Sequence, residues 1–138
     1  MVWIAAIVAG LIGISGSSPA PADEQHERGM AAGQTTLDYE KCGSEWVARE
    51  DAELNRVWRR VYGGLESRAV KRDLLAEQRR WVKYKESSCL LFRNREEFGS
   101  IGWALQFPTC RAGVIRERTD RLRQYSDQIE GQAASGQP

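Results

Sequence analysis

Apolar side chains recur every three or four residues along most of the segment 35–130, and this spacing restricts the fold more than any other feature of the chain. Such spacing places them in one stripe along a helix of about 3.6 residues per turn. No part of the segment alternates apolar and polar residues as a half-buried strand would. The pattern therefore predicts an all-α fold with three helices, over residues 37–62, from 67 to about 97, and over 109–129.

Two interruptions set the predicted order of these helices. The glycines that open the break at 63–67 end the first helix, because glycine adopts the left-handed conformation of helix ends at little cost. Thr35 or Thr36 can cap its start. The break is so short that the first two helices must lie antiparallel as neighbours. A loop at 99–108, with two glycines and a proline, leads to the third helix. The sequence predicts a small three-helix bundle built on an antiparallel helical hairpin.

The first 22 residues form a separate unit. Residues 2–14 carry no charge, and Ala20, Pro21 and Ala22 follow in an A-x-A pattern. An apolar run of that length closed by small residues is typical of a cleaved secretory signal peptide, whereas a membrane span needs about 20 apolar residues. The sequence therefore predicts a signal peptide at 1–22, export to the periplasm or another extracytoplasmic part of the envelope, and no permanent membrane span.

The remaining chain has one predicted folded region with a polar segment at each end. Residues 23–34 are polar, include two glycines and show no apolar period, so a flexible leader is expected there. Residues 131–138, GQAASGQP, have the composition of a disordered tail. The sequence therefore predicts one ordered domain at 35–130.

The predicted hairpin gathers the three cysteines at one end of the bundle. Cys42 and Cys89 lie at matching positions on its two arms, and Cys110 opens the third helix nearby. Structural zinc prefers four ligands with short paired spacings, so no metal or other cofactor is predicted. A disulfide is expected in an oxidising compartment. The preferred pair is Cys89–Cys110, which closes a 22-residue segment and contributes about 3 kcal/mol in the chain-entropy model. The pair Cys42–Cys89 is the alternative, and Cys42 is otherwise free.

Three groups of residues in the predicted helices form a recognisable set. The first group is Asp51, Leu54 and Asn55. The most specific group is the block AEQRRWVKYKESSC at 76–89, which contains Gln78, Trp81, Tyr84 and Cys89. The set is completed by Cys110 and the arginine-rich helix that follows it up to Leu122. Over about 42–122 the chain resembles the LprI-type lysozyme-inhibitor family.

The resemblance implies a small helical envelope protein that inhibits lysozyme by binding it. Family members often carry a further cysteine shortly before the position of Cys42. This chain has none, so the family's cysteine pattern is incomplete here. The matched residues also fit an architectural role, because Gln78, Trp81 and Cys89 share the core-facing stripe of one helix. The alternative function is therefore an envelope structural or interaction protein with no inhibitory activity.

The net charge of +1 conceals an uneven distribution along the chain. Residues 23–55 hold nine acidic and three basic residues, and the rest of the chain has an excess of basic residues. Because a c-type lysozyme is generally basic, an acidic first helix would steer the encounter with it. The candidate contact surface consists of Glu45, Glu50, Asp51 and Glu53. The alternative explanation is that acidic residues simply favour the first turns of helices.

The second predicted helix is basic, and the chain lacks the motifs of common enzymes. Acidic residues are interspersed among its basic ones, so we expect ordinary surface ion pairs rather than a lipid-binding or nucleic-acid-binding face. Export also argues against a nucleic-acid partner. Glycosidase chemistry needs two carboxylates that converge across a cleft, which so small a bundle hardly offers. The sequence therefore predicts a protein that is not an enzyme, and the family resemblance implies lysozyme as its partner. The basic residues of this helix are Lys71, Arg72, Arg79, Arg80, Lys83 and Lys85.

Overall fold

The computed structural model describes residues 21–136, and within that range the protein is all-α, without a strand. The predicted signal peptide lies almost entirely outside the described residues. A short 3₁₀ segment at Leu90–Arg93 and a π-helical turn at Gly102–Gln106 connect the later helices. The α-helices are α1 Pro21–Ala32, α2 Thr36–Gly64, α3 Arg68–Ser87, α4 Arg95–Ile101 and α5 Phe107–Ser135.

Helix α2 begins and ends at the residues that the sequence indicated. The Thr35 hydroxyl accepts a hydrogen bond from the backbone N–H of Asp38 at 3.2 Å, and the Asp38 carboxylate accepts from the backbone N–H of Thr35 at 2.9 Å. This capping box pairs N–H groups that the first turn of a helix leaves unsatisfied. Hydrogen bonding, first from the backbone N–H of Gln34 and then from Thr35, lowers the pKa of Asp38. At the other end α2 stops at Gly64, as predicted.

The apolar stripes of α2, α3 and α5 meet in one core. Ile115 and Leu122 of α5 are fully buried there, and α2 and α5 share the most extensive interface of the bundle. Ala112 and the contact between Gly43 and Pro108 allow these two helices to approach closely. The central cluster is Leu54, Val57, Val61, Leu65, Leu74, Ile115 and Leu122.

Helix α3 runs antiparallel to α2, as predicted for a hairpin, but it ends earlier than the sequence suggested. The Lys85 ammonium near its C-terminus forms an ion pair with Asp51 in the middle of α2, with Nζ and Oδ1 3.1 Å apart. The helix stops at Ser87 rather than near residue 97, since Cys89 turns the chain with a φ of 67°. Arg111 of α5 donates hydrogen bonds to carbonyl groups at this end, including that of Ser88 at 3.1 Å. These bonds satisfy acceptors that a helix end leaves unpaired.

The loop predicted at 99–108 is wrong, because most of that segment is helical. Asn94 caps α4 by accepting hydrogen bonds from two backbone N–H groups at 3.0 and 3.2 Å. Gly102 does not interrupt the helical structure. A Cβ there would lie 2.5 Å from the carbonyl oxygen of Phe92, so glycine is required for the close approach of these two segments. Of the two glycines in this segment, only Gly99 has a positive φ, of 62°. The two glycines therefore shape a compact turn of helices rather than an open loop.

The leader at 23–34 was expected to be flexible and the tail at 131–138 disordered, whereas most of the leader lies in α1 and residues 131–135 of the tail lie in α5. Helix α1 packs on α2 through the ring of His26, which stacks on Trp46 with centroids 4.1 Å apart, and through Gly29, which lies against Cys42. These contacts use one histidine and one glycine, so they leave no apolar period in the sequence. Helix α5 continues to Ser135 with its last turns exposed.

Candidate functional site

The disulfide end of the bundle carries the bond that the sequence favoured. Cys89 and Cys110 form a disulfide, and Cys42 is free and buried. Cys89 takes a left-handed conformation with φ of 67°, which is uncommon for a residue other than glycine. The chain turns there and leaves the side chains of Leu90 and Leu91 in solvent, with 44% and 59% of their surface exposed. The disulfide thus fixes a turn that presents two apolar residues.

Cys42 lies at this end of the bundle but faces α1. Its thiol donates a hydrogen bond to the carbonyl oxygen of His26 at 3.4 Å, and its Sγ lies 3.4 Å from Nδ1 of the same histidine. Burial raises the pKa of the Cys42 thiol, so the neutral form is favoured. Within the described part of the chain no cluster of three or more His, Cys, Asp or Glu side chains could hold a metal ion.

Most of the family-motif residues are used inside the bundle. Leu54 belongs to the core, and Trp81 packs against it. The Gln78 side-chain carbonyl accepts a hydrogen bond at 2.9 Å from Arg118, a buried residue that also pairs with Glu77. Asp51 binds Lys85, and Cys89 binds Cys110. The two motif residues exposed to solvent are Asn55 and Tyr84.

The four acidic residues of the candidate contact surface do not form one patch. Glu50 is buried, with 7% of its surface exposed, and accepts hydrogen bonds from the Trp46 indole at 3.1 Å and from Arg116 of α5 at 2.8 Å. A buried carboxylate cannot contact a partner, so Glu50 was wrongly assigned to this surface.

The other three acidic residues face three different sides of α2. Asp51 pairs with Lys85 of α3. Glu53 pairs with Arg56 at 2.6 Å and with Arg123 of α5, and the Arg56 hydrogen bond is the main cause that lowers the pKa of Glu53. Only Glu45 is exposed and, within the described residues, without an ion-pair partner. Three of the four candidate carboxylates are therefore paired with helices that pack against α2.

The expectation of ordinary ion pairs on the basic helix is wrong for its outer side. Lys85 reaches across to Asp51, and Arg72 pairs with its neighbour Asp73 at 3.3 Å. No carboxylate in the described range forms an ion pair with Arg79, Arg80 or Lys83. These three cations are exposed to solvent.

Several residues that organise this bundle gave no recognisable signal in the sequence. Arg111, Arg116 and Arg118 of α5 bind the end of α3, the buried Glu50 and the Gln78 side chain respectively. The sequence showed only that this helix is rich in arginine. Their partners lie 23 to 66 residues away along the chain, so spacing alone could not reveal them.

The described residues define a class of protein before any comparison is made: a small all-α domain with one disulfide, in which ion pairs join α5 to α2 and α3. A family model described as lysozyme inhibitor LprI matches residues 27–122. The chain therefore belongs to the LprI family. No curated protein and no solved structure matches the chain.

Proposed function

We propose that this protein is exported to the cell envelope and inhibits lysozyme by binding it. The family match carries the proposal, since residues 27–122 include half of α1, the whole of α2, α3 and α4, and the part of α5 that enters the core. The resemblance thus extends over the folded unit rather than over one short motif. The disulfide agrees with export, because such bonds form and persist in oxidising compartments.

The proposed inhibition needs binding and no catalysis. A protein that occupies the substrate cleft of lysozyme, or blocks access to it, stops hydrolysis without any chemistry of its own. Rigid surfaces favour such binding because little conformational freedom is lost on association. In this chain the disulfide, the capping box and the buried ion pairs hold the helices in one arrangement.

The lysozyme-facing surface that we propose lies on α1 and the first half of α2. Glu27 and Glu45 are exposed there and have no ion-pair partner within the described residues. A c-type lysozyme is generally basic, so these carboxylates would accelerate association by electrostatic steering. This surface differs from the candidate contact surface predicted from the sequence, because Glu50 of that surface is buried.

A turbidity assay tests inhibition directly. The purified protein is added in several-fold molar excess to c-type lysozyme that is clearing a suspension of bacterial cell walls. We expect slower clearing. Unchanged clearing at every ratio would refute the proposal for that type of lysozyme.

Matched variants test the proposed surface separately. The Glu27→Gln/Glu45→Gln variant should associate with lysozyme about two- to tenfold more slowly at low salt, with little change at high salt. The control is Glu66→Gln/Glu117→Gln, which removes the same charge from exposed positions elsewhere. Equal association rates for the two variants would exclude the α1–α2 surface while leaving inhibition itself untouched.

The second candidate is an envelope interaction protein with no inhibitory activity. It is favoured by the internal roles of Leu54, Gln78 and Trp81, which account for these motif residues without any partner. A pull-down from an envelope fraction separates the two candidates. Recovery of lysozyme as the main partner would count against the second.

Intact-mass measurement tests the proposed export and processing. The chain recovered from the extracytoplasmic fraction should have lost residues 1–22 and should contain one disulfide and one free thiol. A chain that keeps its first 22 residues or contains three free thiols would contradict this part of the proposal.

A further inference from the structure

The outer side of α3 carries an excess of positive charge over its exposed carboxylates, Asp73 and Glu86. Its exposed basic residues are Arg68, Arg72, Arg79, Arg80 and Lys83, which we call the basic face. Arg72 alone among them forms an ion pair, with Asp73. Since these residues run from Arg68 to Lys83, this face is about 23 Å long.

An apolar tip follows the basic face in the chain. It consists of Leu90 and Leu91, which are adjacent in the chain and whose exposed fractions are 44% and 59%. Tyr84, one turn beyond Arg80, adds an aromatic ring that is 57% exposed. Exposed apolar residues that are grouped rather than scattered indicate an interaction surface.

The backbone holds this tip in place. Cys89 adopts its left-handed conformation immediately before Leu90, and the disulfide joins it to α5. Residues in sparsely populated conformations tend to occur at functional sites, where the surrounding structure maintains them. The turn therefore fixes the exposed position of the two leucines.

From these observations we propose that the basic face and the apolar tip dock on a membrane that contains anionic phospholipid. Between residues 79 and 97 there are six basic and three acidic residues, which is the charge that lipid phosphates attract. Leucine side chains enter the boundary between head groups and acyl chains, and tyrosine prefers that same interface. The protein would thus lie on the surface of the membrane, held by one rigid side.

Other occupants fit this surface less well. Lysozyme is itself basic, so an excess of cations would repel it. Nucleic acid would pair with the cations but would leave Leu90 and Leu91 without a function. No described helix is long and apolar enough to cross a membrane, and a surface-bound protein needs none. The proposal is independent of lysozyme inhibition.

Vesicle co-sedimentation tests the proposal. The full chain, purified as the cell processes it, is mixed with vesicles of equal parts phosphatidylglycerol and phosphatidylcholine, and separately with vesicles of phosphatidylcholine alone. We expect binding to the anionic vesicles that weakens as salt rises, and at least tenfold weaker binding to the neutral ones. Equal binding to both compositions would overturn the proposal, because an apolar segment alone would produce it.

Two variants locate the contact. Arg79→Gln/Arg80→Gln/Lys83→Gln should weaken binding to anionic vesicles roughly 100-fold. Its control removes three exposed cations from other positions and should bind at least tenfold more tightly than the test variant. Equal binding by test and control would show that only net charge matters and would overturn the proposal. The control is Lys41→Gln/Arg59→Gln/Arg121→Gln.

The apolar tip has its own variant. Leu90→Ser/Leu91→Ser should weaken vesicle binding about tenfold, whereas Leu37→Ser, at an exposed leucine of α2, should leave it unchanged. The same variants are then measured in the lysozyme assay. If they lose inhibition and keep vesicle binding, the surface binds lysozyme and the membrane proposal is wrong.

Discussion

Cys89 and Cys42 lie at the same end of the bundle but join their helices to the rest of the protein in different ways. Cys89 ties the end of α3 to α5 by a covalent bond. Cys42 meets α1 through a thiol hydrogen bond to His26 and close packing against Gly29. The first contact persists in every folded conformation, whereas the second opens whenever α1 moves away.

The difference separates a permanent surface from a detachable one. The turn that presents Leu90 and Leu91 is fixed by the disulfide and by the hydrogen bonds of Arg111 to the end of α3. The carboxylate of Glu27 is carried by α1, a short helix that meets α2 through noncovalent contacts of His26 and Gly29. Experiments that remove the Cys89–Cys110 disulfide, or that add a covalent bond between Cys42 and α1, would show how much each connection contributes to stability.

The largest effect is expected from removal of the disulfide. The Cys89→Ser/Cys110→Ser variant should lose about 3 kcal/mol of unfolding free energy, because the unfolded chain regains the freedom of a 22-residue loop. Urea denaturation of the oxidised wild type and of the variant measures this loss. The single variant Cys42→Ala, which breaks no disulfide, is the control. A loss below about 1 kcal/mol would mean that the bond contributes little to the fold.

A slightly smaller effect is expected from a second disulfide between α1 and α2. A Cβ at position 29 would lie 3.5 Å from the Cβ of Cys42, within the usual spacing of about 3.5–4.5 Å in disulfides. Gly29→Cys should therefore form a bond with Cys42 and add about 2 kcal/mol of stability. Mass spectrometry without reduction would show no free thiol. A free thiol after oxidation would contradict the predicted geometry.

The matched control places a methyl group at the same position. In Gly29→Ala the new Cβ would lie 2.5 Å from Sγ of Cys42, so either α1 or the thiol must shift. Alkylation of Cys42 should become faster in this variant and should stop in Gly29→Cys. If alanine at 29 leaves the alkylation rate unchanged, α1 does not cover the thiol.

The sequence predicted the interior of the bundle well because burial leaves a regular pattern. Leu54, Val57 and Val61 fall at helical spacing, and all three enter the core. The cap at Thr35 and the end at Gly64 follow from residue chemistry within a few positions. The preferred disulfide was also found, because hairpin geometry places its cysteines at one end.

The rest could not be predicted, because the decisive contacts join residues far apart in the chain. Asp51 and Lys85 are 34 residues apart, and Glu53 and Arg123 are 70 residues apart. A charge pattern along one helix does not show which residues face another helix. For that reason the acidic surface looked free when it is mostly paired, and the basic helix looked paired when its outer face is free.

A moderate effect is expected from removal of the aromatic contact that holds α1. His26→Ala loses the stack on Trp46 and should cost about 1 kcal/mol of α1 docking. Alkylation of Cys42 should then be about fivefold faster, and global unfolding in urea should change little. Gln25→Ala, which alters an exposed neighbour on the same helix, is the control. Equal rates for the two variants would exclude the histidine as the main anchor of α1.

The smallest effect concerns pH and distinguishes the two cysteine environments. Burial raises the pKa of the Cys42 thiol above its ordinary value of 9.0, so above that pH the unfolded chain loses this proton more readily than the folded one. The contribution of the protonated Cys42 thiol to stability is therefore complete below pH 9 and declines as pH rises toward the folded pKa.

Because other groups also titrate in this range, the observable is the difference in unfolding free energy between wild type and Cys42→Ala, measured at pH 7.5 and pH 10. We expect wild type to lose stability relative to the variant by less than about 1 kcal/mol. The Gly29→Cys protein should show no such loss, since a disulfide does not titrate. A difference that stays constant with pH would show that the thiol is not desolvated by α1.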